Sequence, residues 1–296
     1  MLDARQRLIE RIIPVDLSSA LPLFGLRLSF ESAAPLPRLG FHGSWLRGLL
    51  GHALFRGVCV YSEPCCGECA LRETCAYPQI FKPHLLLGPD RLPGYVLHDW
   101  CVPTGAMRGH CILILIGRAG QYAETWIRHL HIHAPALAMP RVPGGQLRTV
   151  HDLASGALLF AQGRFQPGRV LTLLPLLAPP HAELTVRFHT PIVSKHALDS
   201  DPLWGPLRTR IRRLLNDYGT GAPPTSTDPP WRVAAVGLQS TVIPRGTDSP
   251  RRVQGYTGWV RLTHISPEGA MLLALGRYVH AGGETSLGFG RYGWDS

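Results

Sequence analysis

The stretch LTVRFHT (Leu184–Thr190), followed shortly by WGPLRTRIRRLLNDY (Trp204–Tyr218), decides the fold. In the first piece Leu184, Val186 and Phe188 alternate with Thr185, Arg187 and His189, the period of two that marks a half-buried strand. In the second, Trp204, Leu207, Ile211, Leu214, Leu215 and Tyr218 share one stripe of a helical wheel, which predicts an amphipathic helix over Trp204–Tyr218. Beyond it, Gly219–Pro230 reads as a Pro/Thr/Gly loop, Tyr256–Leu262 as a strand and Pro267–Gly276 as a short helix. Arg277–Trp294 closes the chain with a glycine-rich ending.

Working backwards, the first half shows the same order. Phe24, Leu26, Leu28 and Phe30 alternate with Gly25, Arg27, Ser29 and Glu31. Ser44 then offers an N-cap for a helix running to about Arg56. Its Trp45, Leu46, Leu49, Leu50, Ala53 and Leu54 cover one side. Gly48 and Gly51 are expected opposite, where another backbone can come close. His110–Gly117 reads as a buried strand and Ala123–Leu130 as a helix. LRLSFES (Leu26–Ser32) faintly echoes LTVRFHT, so two α+β units in tandem are expected. The boundary is placed within Leu171–Pro180, giving domains 1–178 and 179–296.

Composition narrows the function. The chain has 296 residues, enough for two domains, and its 45% hydrophobic and 17% charged content excludes a disordered protein. The formal charge is +10, nearly all of it from arginine. Arginine's planar fork pairs with phosphate and stacks on bases, which points to nucleic acid, although a GC-rich coding bias also inflates arginine. Asp3, Arg5, Arg7, Glu10 and Arg11 within Met1–Pro14 argue against a secretory leader. Cys111–Gly117 and Val170–Pro180, the longest uncharged apolar runs, are too short to span a bilayer. A cytoplasmic protein with no membrane partner and reduced cysteines is expected.

Four groups of residues carry candidate chemistry. Cys59, Cys66, Cys69 and Cys75, with Cys65 among them, suggest a structural zinc site, since Cys66-x-x-Cys69 sets two thiolates on one turn. A set of small residues under a loop is the competing reading. Gly282-Gly283-Glu284-Thr285-Ser286-Leu287-Gly288-Phe289-Gly290 is no P-loop, lacking the Gly-Lys-Ser/Thr ending. It reads either as a nest of backbone N–H groups for a phosphate or as a tight connection into a last strand. His129, His131 and His133 are expected on one face of a strand. His42 stands apart, just before the first helix, whose N-terminus can hold phosphate. Finally, Arg208, Arg210, Arg212 and Arg213 are expected on the arc of the second-half helix that the apolar stripe leaves open, with no carboxylate between them. A solvated surface face is the plainer alternative.

Three segments together resemble the CRISPR-associated endoribonucleases of the RAMP superfamily, in particular the Cas six family of pre-crRNA processing enzymes. They are GSWLRGLLGHAL running through the cysteines to CAYPQIF (Gly43–Phe81), FHTPIVSK with LRTRIRRLLNDYG (Phe188–Gly219), and GYTGWVRL through YVHAGGETSLGFGRY (Gly255–Tyr292). The resemblance implies an α+β fold of tandem ferredoxin-like (RRM-like) domains side by side. It also implies a metal-independent cut in CRISPR repeat RNA that leaves a 2′,3′-cyclic phosphate and a 5′-OH, with no cofactor for catalysis. On this resemblance His42 matches the proton-transferring histidine, His52 is second choice, and Arg38 or Lys195 supplies the cation. Arg208, Arg210, Arg212, Arg213, Arg245, Arg251, Arg252, Gly282, Gly283 and Ser286 are the expected RNA contacts. The repeat RNA or crRNA hairpin is the expected partner, with other CRISPR effector subunits behind it. A non-catalytic crRNA-binding structural subunit of a CRISPR effector complex is the alternative from another class.

Overall fold

A computed structural model describes residues 17–32, 43–61, 65–89, 91–101, 106–136, 145–179, 181–194, 201–220, 228–244 and 252–294. Among them, a strand β1 (Leu23–Ser32) leads to helix α1 (Gly43–Val58), then to β2 (Tyr95–Cys101), β3 (Arg108–Ile116), helix α2 (Ala123–His133) and β4 (Gly145–Asp152). β5 (Leu158–Ala161) and β6 (Arg164–Phe165) extend the sheet, whose order is β2-β3-β1-β4-β5-β6. A strand–helix–strand, strand–helix–strand chain with β1 between β3 and β4 is the ferredoxin-like arrangement.

The second half repeats it. β7 (Leu184–Val193), α3 (Trp204–Tyr218), β8 (Arg232–Pro244), β9 (Arg252–Thr263), α4 (Pro267–Val279) and β10 (Tyr292–Trp294) form a sheet of order β10-β7-β9-β8. Both sheets are antiparallel throughout. The start of α3 is fixed by Asp201, whose Oδ1 accepts the N–H groups of Leu203 and Trp204. α4 begins with Pro267 behind an N-cap Ser266 that accepts the Gly269 N–H at 3.1 Å, a pairing suited to a helix start.

Each sheet face has its own covering. Leu26, Leu28, Leu113 and Leu115 lie under α1 and α2, with Trp45, Leu49, Ala53, Trp126 and Leu130 packed on them. The opposite face of the same sheet supplies Leu23, Val96, Ile114 and Ile116 to a second core shared with Leu207, Ile211 and Leu214 of α3 and Leu272 and Leu275 of α4. The helices of the second domain therefore lie between the two sheets, and one face of the second sheet is left as an outer surface. Polar contacts reinforce the seam. The Arg91 guanidinium pairs with the Asp217 carboxylate, the Leu92 N–H donates to the same group at 3.0 Å, and the Tyr218 hydroxyl donates to the Leu92 carbonyl at 2.6 Å. Gly117 (φ 53°) permits this approach, since a Cβ there would stand 2.4 Å from the Tyr218 carbonyl oxygen.

Two expectations change. His129, His131 and His133 belong to α2, not to a strand. His129 and His133 stack one turn apart, while His131 meets the edge of Phe160. Gly51 faces the core rather than the open side of α1, because the Phe81 ring fills the space a Cβ would take.

Candidate nucleic-acid interface

The glycine-rich stretch leaves α4 and turns back across the first domain before entering β10. Gly282 (φ 81°), Gly288 (φ 93°) and Gly290 (φ 74°) hold its bends, and a Cβ on Gly290 would lie 1.8 Å from the Ala281 carbonyl oxygen. The open phosphate nest does not form at four of its positions, nor at Ala281 just before it. The N–H groups of Ala281, Gly283, Leu287, Gly288 and Gly290 donate to the carbonyls of Gly290, Val193, Glu284, Thr285 and Pro191. The stretch is first a connection pinned to β7, and its one helical turn, Thr285–Leu287, rests on β2 and α1.

That contact assembles side chains from both domains. Tyr95 of β2 is fully buried. Arg47 of α1 and Ser286 of the glycine-rich turn come near enough to its hydroxyl to lower its pKa, though burial dominates and pushes it up. Neither stands in full hydrogen-bonding geometry, so the hydroxyl has no protein partner among the described residues. Arg47 is exposed and Ser286 half-buried, so a cation and a hydroxyl line this junction. His52 is exposed on α1 but lies about 140° round the helix from Arg47.

A second inter-domain contact lies beside it. His98 Nδ1 of β2 is 3.1 Å from His280 Nε2, and His280 Nδ1 is 3.0 Å from the Phe289 carbonyl oxygen. A carbonyl only accepts, so His280 Nδ1 carries the proton and its Nε2 accepts from His98 Nδ1. Burial, with His98 alongside, holds His280 well below the ordinary histidine pKa and so keeps it neutral. Arg291 Nη1 donates to the His98 carbonyl at 3.3 Å.

The four arginines of α3 divide. Arg210 is buried, not on the open arc. Its Nε donates to the Val279 carbonyl at the C-terminus of α4, and desolvation pushes its pKa down to about 9. The apolar stripe is wide enough to take that position into the seam, where a helix C-terminus accepts a cation. Arg208 is half-buried, its guanidinium 6.0 Å from the Trp204 ring centre. Arg212 is exposed and Arg213 half-buried, so these two carry the outward charge of the helix. Arg252 is exposed at the start of β9, Gly283 is exposed and Gly282 half-buried. Arg38, His42, Lys195, Arg245 and Arg251 lie outside the described residues.

The cysteines gather round one cavity of about 310 Å³, lined also by Val58, Tyr61, Leu71, Tyr77 and Tyr122. Cys59, Cys66, Cys69 and Cys75 are half-buried and Cys65 is exposed. Among the described residues, however, no three Cys, His, Asp or Glu side chains converge closely enough to hold a metal ion. Desolvation is the main cause that pushes the Cys66 and Cys75 thiols up, and the neighbouring cysteines add to it. The expected zinc site is therefore not formed by these side chains as they stand.

Comparison with known proteins accords with this geometry. Residues 186–292, which hold α3, the glycine-rich stretch and most of the second sheet, match the family described as CRISPR-associated endoribonuclease Cas6. Over that segment, about a third of the chain, the sequence is similar to Cas6. Residues 21–135 match a second family, AF_1859_N, described as an N-terminal domain. No curated protein matches. Among solved structures, "Cas6 (TTHA0078) product complex" is similar at TM-score 0.52 and 22% identity, over 93% of this chain and 100% of that one. "Cas6 (TTHB231) product complex" is similar at 0.53 and 16%, over 93% and 99%. "Partial Cas6-RT-Cas1--Cas2 complex" reaches 0.57 at 14% identity, over 94% of this chain and 46% of that one. At such identities the likeness is one of fold: two ferredoxin-like domains, with the Cas6-like segment in the second.

Sequence reasoning missed Arg47 and the His98–His280 pair. Arg47 lies in the quoted GSWLRG and shows no signal of its own. The two histidines lie far apart in the chain and meet only because α4 ends against β2.

Proposed function

We propose that the chain cleaves CRISPR repeat RNA to give mature crRNA, without a metal ion. The observation that carries this reading is the junction of the Cas6-like segment's glycine-rich turn with α1, where Ser286 and Arg47 meet beside Tyr95. The reaction requires a base for the ribose 2′-OH, an acid for the leaving oxygen and a cation for the phosphorane. The 2′ oxygen bonds to the adjacent phosphorus as the P–O5′ bond breaks. The base takes the 2′ proton, and the acid gives one to the 5′ oxygen. A 2′,3′-cyclic phosphate and a 5′-OH remain. Because the nucleophile belongs to the RNA, no step calls for a metal-bound water.

His42 precedes the first residue of α1 in the chain and is assigned the proton transfer, which suits a group with an unperturbed pKa of about 6.5. His52 is the second choice. Arg38, Lys195 and Arg47 are the candidate cations, and Arg212, Arg213, Arg245, Arg251 and Arg252, with Gly282, Gly283 and Ser286, are assigned to RNA binding. The cysteine loop is assigned a structural role.

Single-turnover incubation with cognate repeat RNA in excess EDTA tests the reading. Cleavage is expected at the rate seen without chelator, with 3′ ends that resist a ligase requiring a 3′-OH until the cyclic phosphate is opened and the phosphate removed. Loss of cutting in EDTA, or free 3′-OH ends, contradicts the mechanism. Tight binding with no cutting under any condition favours the non-catalytic subunit instead.

A further inference from the structure

The outer face of the second sheet takes no part in the junction above. Along β7, Val186 and Phe188 turn inward to the core, so Thr185, Arg187 and His189 face outward. On β9 the inward residues are Val260 and Leu262, which leaves Trp259 and Arg261 outside. Pairing aligns one row straight across all four strands: Gly293 opposite Arg187, Arg187 opposite Trp259, and Trp259 opposite Gly237.

The two glycines at the ends of this row have a consequence. A Cβ on Gly237 would stand 2.4 Å from the Trp259 indole, and one on Gly293 would stand 2.7 Å from the His189 ring. Each ring thus lies over a strand that has no side chain beneath it. Trp259 is half-buried and belongs to neither core, so its indole rests on the sheet with its other side turned outward.

Charge on this face is one-sided. Arg187 and Arg261 stand on the outward side, and the four strands contain no Asp or Glu. The Glu183 carboxylate is 3.9 Å from Arg261 with both side chains mostly exposed, a pairing too weak to neutralise the face. An indole that springs from a central strand of an RRM-like sheet and rests on the glycine of its edge neighbour, beside guanidinium groups, is the kind of surface on which unpaired RNA bases stack.

We infer that this face binds unpaired nucleotides of the RNA substrate, with one base stacked on Trp259 and the neighbouring phosphates held by Arg187 and Arg261. The inference rests on the repeat-RNA reading. It adds a contact outside the junction of the glycine-rich turn with α1.

The test compares two uncleavable 2′-deoxy-blocked RNAs, the repeat hairpin with its single-stranded flanks and the same hairpin trimmed of them. Wild-type protein should bind the flanked RNA about 5- to 150-fold more tightly, the range for losing one stacked base. Trp259→Ala should bind both with the affinity of the trimmed RNA, while Trp259→Phe keeps most of the preference. Gly237→Ala, which lifts the indole from its bed without removing it, should also reduce the preference. If Trp259→Ala keeps the wild-type ratio, or does not fold while Gly237→Ala keeps that ratio, the inference is overturned and the repeat-RNA reading stands. Wild-type protein that binds neither RNA overturns both.

Discussion

Arg210 and Arg212 are two residues apart on α3, yet they do opposite things. Arg210 spends its guanidinium on the Val279 carbonyl inside the seam, whereas Arg212 reaches water. Arg210→Ala removes that bond and leaves a hole among buried residues, so it should lower Tm and leave the salt dependence of RNA binding alone. Arg212→Ala with Arg213→Ala should do the reverse. Binding to repeat RNA should weaken, and the log–log salt slope should flatten by about 0.7 per lost phosphate contact on single-stranded RNA. Affinities measured at several salt concentrations and melting curves separate the two. An unchanged slope in the double variant makes that helix face a merely solvated one. His280 gives a residue-scale pH effect. Burial lowers its pKa in the folded chain, while the unfolded chain titrates near 6.5. Below about pH 6.5 the unfolded state therefore binds more protons, and stability falls as the pH drops. His129, also lowered by burial, acts in the same direction. Tm should be lower at about pH 5.5 than at about pH 7.5, and His280→Asn should shrink the difference. A Tm independent of pH over that range would remove the neutral-histidine account.

Elements differ in how much of them the sequence discloses. α3 is readable end to end because its apolar residues repeat at the helical period and Asp201 sets its start. β1 and β7 are readable because each is buried on one face and wetter on the other. β8 is not, since it is an edge strand whose pattern is broken by a bulge between Val233 and Ala235. The glycine-rich stretch looks like an anion nest in sequence because its N–H acceptors, Pro191 and Val193, come from a strand some ninety residues earlier. The three histidines of α2 imitate strand alternation, but their neighbours Trp126, Ile127 and Leu130 fix a helix against α1. The cysteine loop belongs to this scale too. Its thiols line the wall of an apolar cavity beside Tyr77, which stacks on Phe81 of the first core. Replacing Cys66 and Cys69 with Ser puts hydroxyls into that wall, so Tm should fall while the single-turnover cleavage rate at low temperature holds. A folded double variant that no longer cuts would place the loop in the chemistry.

For the whole molecule, the decisive feature is that the second domain's helices close the back of the first domain's sheet. That stacking sets Asp217 against Arg91, ends α4 at His98, and lays the glycine-rich turn across β2 and α1. The duplication is faintly visible in LRLSFES and LTVRFHT, and both strand orders follow from it. The way the two units dock is not, because it depends on faces such as Val96 and Ile114 that read only as ordinary buried strand. The cutting residues assigned on resemblance stand or fall with one claim: the RNA attacks itself. Replacing the single ribose 5′ to the scissile phosphate by 2′-deoxyribose tests that claim most directly. The substituted repeat should bind with nearly unchanged affinity and yield no cleavage product under single-turnover conditions. Cutting at the normal rate would show that the nucleophile comes from elsewhere and would contradict the account.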